Sequence, residues 1–508
     1  MELLMSLAVV YSRASVGIDA PLITVEVHLA NGLPSFNLVG LPEASVREAK
    51  DRVRSALINS GFEFPARRIT VNLAPADLPK EGGRFDLAIA MGIIAASNQL
   101  PSHNLGNIEL VGELALSGEI RPVIGALPFT YACHQAGRIA ILPQQNAPEA
   151  TLIRGARVIP AQQLLDVFHH IGGQQTLPFH LAQVNRHDLE YETDLQDVVG
   201  QSAAKRALEI AAAGGHNILF TGPPGTGKTM LASRLITILP PMSDAEALAS
   251  AAIHSIVGKP VDPATWKQRA FRHPHHTSSA VALVGGGSVP RAGEISLAHH
   301  GVLFLDELAE FDRKVLDVLR EPLESGFVSI SRAARQAQFP ARFQLVAAMN
   351  PSPTGSLHDG RCTSEQILRY LNRISGPFLD RIDLQVDVPK LTANEFTEQV
   401  NVRGQSSKII RQRVIRATEV QQRRATKSNA HLGSKEVQNY CQLQPSDQQF
   451  LHQAVEKLGL SLRTYHRVLK VSRTIADLAE APDIKREHLA EALNYRAFDR
   501  MLVQLAHN

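Results

Sequence analysis

One glycine-rich stretch constrains the fold of this 508-residue chain more than any other feature. It lies between an apolar run typical of a strand, residues 216–220, and a run typical of a helix, residues 230–236. A strand, a glycine-rich turn and a helix in this order form a cradle in which backbone N–H groups and a helix N-terminus hold phosphate. A chance glycine turn is the competing interpretation, and the complete motif in its context argues against it. The sequence therefore predicts an α/β nucleotide site at Gly222, Pro223, Pro224, Gly225, Thr226, Gly227, Lys228 and Thr229.

Two acidic residues further along the chain complete a predicted catalytic set. Lys228 can reach the β- and γ-phosphates of a nucleotide, and the Thr229 hydroxyl can take one Mg²⁺ position. Residues 302–305 are all apolar and predict a buried parallel strand, whose carboxyl end brings Asp306 close to the same ion. Glu307 beside it is suited to polarising the attacking water. The expected cofactors are therefore ATP and Mg²⁺, with Thr229 and Asp306 as metal ligands.

The composition limits which binding partners and which cellular compartment we expect for this chain. The net charge is only +3, so any nucleic-acid contact has to come from local patches. Three cysteines give neither a disulfide framework nor a metal quartet, which favours a reducing compartment. The apolar start, residues 1–10, carries Glu2 and no basic segment, so it predicts a first strand and not a signal peptide. Because no other run is long and uncharged enough to span a membrane, we expect a cytoplasmic protein without a membrane partner.

The chain pattern predicts a front domain, a linker, a nucleotide-binding core and a helical end domain. Residues 24–29 alternate as a half-buried strand, and Asn31–Gly32 after them indicates a hairpin. Residues 86–96 predict an apolar helix, and such a mixture of strands and helices predicts an α+β front domain. The predicted boundaries are 1–175 for the front domain, 176–194 for the linker, 195–390 for the core and 391–508 for the helical end domain.

The front domain resembles the proteolytic domain of Lon-type proteases, an S5 domain 2-like fold that also recurs in RadA recombination proteins. The resemblance is carried by residues 80–86, 112–125 and 140–146. Lon peptidases use a serine–lysine dyad in which a lysine of lowered pKa activates the serine. In this chain Arg84 stands in place of the serine and Pro128 in place of the lysine. Since neither side chain can do that chemistry, the resemblance implies a scaffold and not a peptidase.

The core resembles the magnesium-chelatase-like AAA+ ATPases, through residues 271–279, 285–287, 290–299 and 301–308. With the Lon-like domain in front, the whole chain resembles the YifB/ComM group. The implied fold is a P-loop AAA+ module with a parallel sheet, preceded by the α+β Lon-like domain and followed by a helical lid. The implied function is an ATP-driven hexameric DNA helicase that promotes branch migration when incoming single strands integrate during natural transformation. Its implied partners are single-stranded or branched DNA, further copies of itself and recombination proteins.

The same resemblance assigns three more site residues. Asn350 matches the sensor-1 position, where an amide can hold the γ-phosphate or the water; a turn-forming asparagine before proline is the alternative. Arg381 matches the arginine that related ATPases direct at a neighbour's nucleotide, with a structural pair to a nearby aspartate as the alternative. Arg463 matches sensor 2 in the lid, and Arg467, one helical turn later, competes for that role.

A β-hairpin is predicted between the strand ending at Glu307 and the strand ending at Asn350. Residues 326–339 have strand propensity on both sides of Ala333–Ala334, a plausible tip. Six copies of Arg332 and Arg335 in a ring would suit the phosphates of DNA and ignore base identity. Packing against a neighbouring subunit is the alternative role of this hairpin. The basic stretch 403–427 fits a solvated helix face and a nucleic-acid patch equally well.

Two other functions share parts of this pattern. A chelatase motor that drives metal into a porphyrin with partner subunits would use the same ATPase module, although such subunits are expected to lack the Lon-like front domain. An ATP-dependent protease is disfavoured because the dyad is missing. A metal site at His273, His275 and His276 is also disfavoured, because these residues lack carboxylate or cysteine partners at ligand spacing. A structural or loop role is expected for them.

Overall fold

The computed structural model describes residues 7–40, 48–180, 191–259, 261–287, 290–332, 335–357, 361–400, 404–457 and 461–507. The chain divides into two compact units. The first consists of Met1–His187 and Asp244–Lys267, and the second of Asp188–Ser243 and Gln268–Asn508. The predicted domain boundaries stay predictions, and most of the predicted linker lies outside the described residues.

The first unit is built on a mixed seven-stranded sheet in the order β3-β4-β2-β1-β5-β8-β9. β2 alternates buried residues with partly buried or exposed ones, as its apolar–polar alternation predicts. β6 and β7 form a separate two-stranded pair. The strands are β1 (Leu7–Arg13), β2 (Leu22–Ala30), β3 (Ser35–Val39), β4 (Arg68–Ala74), β5 (Ile108–Leu110), β6 (Glu113–Leu114), β7 (Ile120–Arg121), β8 (Ile139–Pro143) and β9 (Val158–Ala161).

The hairpin predicted at Asn31–Gly32 is wrong. β2 and β3 are not neighbours, because β4 lies between them and pairs antiparallel with β2 and parallel with β3. Ala30 and Ser35 both lie opposite Arg68, one on each side of β4. The short connection therefore crosses the end of β4, and this long-range pairing overrides the local turn signal.

Helices cover the sheet of the first unit. The predicted helix at residues 86–96 is confirmed, and all of its residues are buried, which explains its uninterrupted apolar pattern. The apolar spacing from Ala44 to Asn59 also predicts a helix; the structure has a helix at Ala49–Asn59, and residues 44–47 lie outside the described residues. The helices are α1 (Ala49–Asn59), α2 (Asp86–Ala96), α3 (Ala126–Gln135), α4 (Ala147–Ala150), α5 (Leu164–Ile171) and α8 (Asp244–Ile256).

Helix α8 joins the first unit although it follows the phosphate cradle in the chain. Leu127 of α3, Ile153 and Ala251 of α8 form one buried apolar cluster. The Gly125 N–H donates to the carbonyl oxygen of Ser255 at 3.1 Å, which fixes the start of α3 on the end of α8. Apolar burial and a backbone hydrogen bond thus both hold α8 in the first unit.

The second unit contains the predicted parallel sheet, in the order β11-β14-β17-β10-β18. All four neighbouring pairs are parallel, so the carboxyl ends of these strands share one edge. Every residue of β10, β14 and β17 is buried, as expected for a parallel sheet covered on both faces. The strands are β10 (Ile218–Thr221), β11 (Phe271–Arg272), β14 (Val302–Leu305), β17 (Gln344–Met349) and β18 (Leu384–Asp387).

Helices flank this sheet and then form the helical C-terminal region that was predicted. Around the sheet lie α6 (Ser202–Gly214), α7 (Lys228–Ile238), α9 (Ala280–Val284), α10 (Glu294–Leu297), α11 (Arg313–Val318), α12 (Arg320–Ser325), α13 (Ser364–Leu371) and α14 (Gly376–Leu379). The C-terminal region contains α15 (Ala393–Val400), α16 (Ser407–Ala425), α17 (Ser434–Tyr440), α18 (Pro445–Lys457), α19 (Leu462–Leu478), α20 (Arg486–Asn494) and α21 (Ala497–His507). In the part of the chain that the structure describes, no helix is long and apolar enough to cross a membrane.

Two hairpins of the second unit are separate from its five-stranded sheet. The predicted hairpin is confirmed as β15 (Phe327–Arg332) paired antiparallel with β16 (Arg335–Pro340). Arg332 pairs with Arg335 at the end of the ladder, and the predicted tip, Ala333–Ala334, lies outside the described residues. The second hairpin joins β12 (Gly285–Gly286) to β13 (Arg291–Ala292).

The basic stretch after residue 403 forms α16, and its arginines hold the second unit together. Arg413 Nε lies 2.5 Å from a carboxylate oxygen of Glu209 in α6. Arg424 donates to both carboxylate oxygens of Asp477 in α19, at 2.9 and 2.7 Å. These charges therefore anchor α16 to its helical neighbours, which explains much of the basic pattern without a nucleic-acid patch.

Candidate nucleotide-hydrolysis site

The predicted glycines of the phosphate cradle meet distinct geometric requirements. Gly225 and Gly227 have φ angles of 78° and 89°, in the left-handed region that favours glycine. A Cβ built on Gly222 would lie 2.2 Å from the carbonyl oxygen of Val388, so no larger residue fits there. The turn leads from buried β10 directly into α7, which begins at Lys228. The predicted strand, turn and helix are therefore confirmed as structure.

The Lys228 ammonium is held at the centre of this turn. It donates to the carbonyl oxygens of Gly222 and Pro223 at 2.6 and 2.8 Å, and it lies 3.2 Å from Asn350 Oδ1. Burial lowers the pKa of Lys228, and the negative charge of Asp306 partly opposes this. A buried cation beside the backbone N–H groups of a glycine-rich turn suits an anionic phosphate ligand.

Thr229 and Asp306 form the oxygen pair that was predicted to hold Mg²⁺. The Thr229 hydroxyl donates to Asp306 Oδ2 at 2.7 Å, which joins the first turn of α7 to the end of β14. Asp306 Oδ1 accepts from the backbone N–H of Glu307 at 2.9 Å. Hydroxyl and carboxylate oxygens are the ligands that Mg²⁺ takes beside phosphates, so the residues fit this ion.

Glu307 is held in an unusual backbone conformation at the edge of the same site. Its φ and ψ angles are 51° and 47°, which is uncommon for a non-glycine residue and costs about 1–3 kcal/mol. Its side chain is 55% exposed, and Oε2 lies 2.9 Å from Nδ1 of His276. The carboxylate is thus accessible to water and oriented by one side-chain partner.

His276 contacts Glu307 in this site, although the sequence did not predict a role for His276 there. The histidine cluster was expected to have a structural or loop role, and a loop role describes His273 and His275. His273 packs against Phe304 with ring centroids 4.7 Å apart, and His275 contacts the Thr277 hydroxyl at 2.8 Å. The pairing of β11 with β14, which brings His276 to Glu307, has no local sequence signal.

The sheet order explains how distant residues meet. Lys228, Asp306 and Asn350 follow the carboxyl ends of β10, β14 and β17, and these three strands are consecutive neighbours in the sheet. Ligands of open α/β sheets bind at that edge. The structure therefore brings together the predicted cradle, the pair predicted to hold Mg²⁺, Glu307 and Asn350.

Arg381 lies apart from this group within the protomer. Its side chain is only 10% exposed, and it forms an ion pair with Glu324. It also donates to the backbone oxygens of Pro377 and, at 3.2 Å, of Arg320. Burial lowers the pKa of Arg381, and Glu324 partly opposes this. The structural partner of Arg381 is therefore Glu324 of α12, and not one of the neighbouring aspartates considered from the sequence. The role of Arg381 at a neighbour's nucleotide stays a prediction.

The two candidate sensor-2 arginines have different surroundings. Arg467 Nη1 lies 2.5 Å from Oδ1 of buried Asp383, which also contacts His216 at 3.3 Å. Burial alone would raise the pKa of Asp383, but Arg467, His216 and Lys470 lower it well below its usual range. Arg463 has a 71% exposed side chain, 3.7 Å from Asp380. Arg467 is therefore committed to a buried ion pair, whereas Arg463 is available to a ligand.

The front unit shows buried residues at the two positions matched to a Lon dyad. Arg84 is 8% exposed, and burial lowers its pKa to about 10. Pro128 is buried within α3. Neither residue offers a nucleophile or a base at these positions.

Three family models match the chain in succession. The model described as subunit ChlI of Mg-chelatase matches residues 25–146. The model described as magnesium chelatase, subunit ChlI, matches residues 194–396, and that of the ChlI C-terminal region matches residues 404–496. Both units of the structure are therefore similar to magnesium-chelatase subunits.

Relatives that align over nearly the whole chain identify its family more narrowly. Competence protein ComM of Haemophilus influenzae is 57% identical over 509 residues, which cover 99% of this chain and 100% of ComM. YifB of Salmonella typhimurium is 54% identical over 506 residues, which cover 99% of each chain. A partial match to Lon protease 2 of Bacillus subtilis is 27% identical over 184 residues, or 32% of each chain. The chain therefore belongs to the YifB/ComM family of magnesium-chelatase-like AAA+ ATPases.

Proposed function

We propose that this protein is a hexameric, ATP-driven DNA motor, a helicase that promotes branch migration in recombination during natural transformation. The observation that carries the proposal is the β15–β16 hairpin, which the chain inserts between β14 and β17 of the ATPase sheet. The hairpin carries Arg332 and Arg335, the two candidates for contact with DNA. The strands before and after it in the chain, β14 and β17, are followed directly by Asp306 and Asn350. The relative from Haemophilus influenzae is named a competence protein, and this name supports a role in natural transformation.

The hydrolytic part of the proposal follows from the residues at the sheet edge. Glycine-turn N–H groups and the Lys228 ammonium bind the phosphates, and Asn350 keeps that ammonium in place. Glu307 accepts a hydrogen bond from the attacking water and orients it. Mg²⁺ held by Thr229 and Asp306 would neutralise charge on the phosphates. A neighbour's Arg381 would add positive charge from outside the protomer, and Arg463 would add it from the lid.

The DNA part of the proposal follows from charge and position. Two arginines at the end of a hairpin can contact phosphates without reading bases. A ring would present several such hairpins to one strand, which suits a motor that moves along any sequence. The α16 arginines are less suited to this task, because Arg413 and Arg424 already bind carboxylates of the protein.

The decisive experiment measures ATP turnover by the purified protein with and without single-stranded or branched DNA. We expect stimulation by DNA. Lys228→Ala should lose ATP binding, and Glu307→Gln should bind ATP without turning it over. Arg332→Glu/Arg335→Glu should keep hexamers and basal turnover, lose DNA stimulation and strand displacement, and lower the salt slope of DNA binding by roughly 0.7 per lost phosphate contact.

The matched control is Arg416→Glu/Arg423→Glu on α16, which reverses the same number of charges elsewhere. Arg416 is 66% exposed and pairs with Glu480 at 3.4 Å. If this control abolishes DNA stimulation and the hairpin variant does not, DNA binds at α16. Turnover of ATP that is indifferent to every DNA tested would contradict the motor.

A chelatase motor is the second candidate, and all three matching family models, which describe magnesium-chelatase subunits, favour it. Because the front region itself matches a ChlI subunit, the presence of a front unit does not separate the two functions. The assay of ATP turnover does separate them, because turnover by a chelatase motor would not respond to DNA and would respond to a porphyrin together with its partner subunits. A peptidase is disfavoured, and Arg84→Ser should not create one, because no lysine occupies the partner position.

A further inference from the structure

We infer that Asn217 is a positioning residue for Arg381, because its side-chain amide fixes the backbone from which that arginine extends. This inference rests on the proposed role of Arg381 at a neighbour's nucleotide and names the contact that places the arginine. It starts from one hydrogen bond, in which Asn217 Nδ2 donates to the carbonyl oxygen of Arg381 at 2.9 Å.

The polar atoms of Asn217 join three strands at this place. Its side-chain Oδ1 accepts from the backbone N–H of Leu345 in β17 at 2.8 Å. Its backbone N–H donates to Asp383 Oδ2 at 3.3 Å, and its backbone oxygen accepts from the N–H groups of Asp383 and Leu384, both at 3.0 Å. Because the amide donates on one side and accepts on the other, only one orientation satisfies both contacts.

The backbone of Arg381 is held on both sides, whereas its guanidinium has contacts that can be exchanged. The Arg381 N–H donates to the carbonyl oxygen of Phe378 at 2.9 Å, and its carbonyl oxygen accepts from Asn217. The guanidinium pairs with Glu324, whose side chain is 67% exposed. When the side chain leaves Glu324 for a phosphate, it therefore pivots on a fixed backbone. A misplacement of about 1 Å at a reacting centre can cost roughly 10²-fold in rate, so this fixed origin matters.

Asn217 and the phosphate cradle lie at opposite ends of one short strand. Asn217 comes directly before β10, and the cradle comes directly after it. β10 has four residues and spans about 13 Å. β18 runs parallel to β10, so Arg381, which precedes β18, lies at the amino edge together with Asn217. The hydrogen bonds of Asn217 therefore belong to the edge that carries Arg381, and not to the edge that carries the cradle.

An effect on the protomer's own cradle is the competing role of Asn217, because β10 and β17 end at the nucleotide site. These two strands are also joined by their own parallel ladder, which begins at Ile218 and Val346. The ladder between β10 and β18 begins at Leu384 and does not reach the Arg381 carbonyl. The sheet thus holds β10 and β17 together without the amide, whereas Arg381 depends on it.

The test is a reciprocal mixing experiment on full-length subunits, with ATP turnover as the measurement. Asn217→Ala alone should form hexamers and bind ATP, and its turnover should fall roughly 10²-fold. Mixing it with Lys228→Ala should restore part of the turnover, because the second subunit supplies a well-placed Arg381 to the intact cradle of the first. Mixing it with Arg381→Ala should restore nothing, because neither subunit then offers a well-placed arginine.

A second variant removes only half of the amide. Asn217→Asp keeps an oxygen for the Leu345 N–H and loses the donor to the Arg381 carbonyl. It should therefore show the same rescue pattern as Asn217→Ala, and it carries the test if the alanine variant does not fold. Turnover by Asn217→Asp at the wild-type rate would overturn the inference.

The matched control is Gln344→Ala, which removes another amide at the same edge of the sheet. Gln344 Nε2 donates to the backbone oxygens of Ala211 and His216, at 2.9 and 2.7 Å, and both lie before β10. This variant leaves the contact between Asn217 and Arg381 intact, so it should keep most of the turnover.

The remaining outcomes separate the inference from the function on which it rests. Rescue of Asn217→Ala by Arg381→Ala, and not by Lys228→Ala, would show that Asn217 acts on its own cradle. Rescue by neither partner, or loss of hexamers in both Asn217 variants, would reduce Asn217 to a structural role. Each of these results overturns the inference alone. If Arg381→Ala and Lys228→Ala do not complement each other, the role of Arg381 at a neighbour's nucleotide fails, and the inference fails with it.

Discussion

At the scale of single residues, the site combines fully engaged groups with groups left accessible. Lys228 and Asp306 have short hydrogen bonds within the protomer, which fix them before a nucleotide binds. Glu307 and Arg463 are the accessible members, with side chains 55% and 71% exposed. The groups proposed to bind phosphate and Mg²⁺ are thus preorganised, and the groups proposed to sense or trigger hydrolysis keep freedom to move.

The contrast between Arg463 and Arg467 leads to a prediction. Arg467→Ala leaves the carboxylate of Asp383 buried with its strongest partner gone, so we expect the free energy of unfolding to fall by about 3 kcal/mol. Arg463→Ala removes an exposed side chain and should leave stability within about 0.5 kcal/mol while lowering ATP turnover. Denaturant unfolding and hydrolysis assays on both variants check this. A stable Arg467→Ala protein with impaired turnover would instead make Arg467 the sensor.

At the scale of elements, α8 packs in the first unit although the segments before and after it in the chain belong to the second. It follows α7 of the nucleotide site, yet it completes an apolar cluster with Leu127 and Ile153 of the first unit. Arg154 adds an ion pair to Asp244, at 3.3 Å, but both side chains are largely exposed. Such a pair contributes little, so apolar burial determines where α8 packs.

Substitutions on the two faces of α8 should therefore differ sharply. Ala251→Glu places a carboxylate against Leu127 and Ile153, and we expect it to destabilise the first unit by roughly 3 kcal/mol or more. Ala245→Glu, on the exposed face of the same helix, should change stability by less than about 0.5 kcal/mol. Calorimetry and hydrogen exchange at α3 measure both effects. Equal melting curves for the two variants would mean that α8 does not pack as described.

Local signals and long-range pairing explain which elements could be predicted. The cradle from Gly222 to Thr229, the strand before Asp306 and the β15–β16 hairpin carry their information within a few consecutive residues, and the structure has each of them. The turn at Asn31–Gly32 also has a local signal, but β4 takes the position of its partner strand. His276 near Glu307 and α8 beside α3 depend on contacts between distant segments, which a single sequence does not contain.

At the scale of the whole molecule, the proposed site requires a residue from a neighbouring protomer. Arg381, the candidate for action at a neighbour's nucleotide, is bound by Glu324 and by backbone oxygens of its own chain. Ring assembly would have to exchange at least the Glu324 contact for a phosphate. The stronger negative charge of a transferring phosphoryl group makes such an exchange favourable.

This exchange predicts complementation between inactive protomers. Arg381→Ala and Lys228→Ala should each lose hydrolysis alone, and mixing them should restore part of it, because some sites then pair an intact cradle with a neighbour's intact arginine. The measurement is ATP turnover over a series of mixing ratios, with Glu307→Gln replacing Arg381→Ala as the control that cannot be rescued by a neighbour. No recovery at any ratio would place Arg381 in a structural role within its own subunit.

The division of the first unit into two chain segments has a consequence for synthesis. Its core is complete only when residues up to Lys267 have left the ribosome, and by then the phosphate cradle and α7 have already emerged. The front unit therefore finishes folding while part of the nucleotide-binding unit waits for its remaining strands. A chimaera that exchanges the front unit at one junction would carry an incomplete core, so a folded exchange has to transplant both segments together.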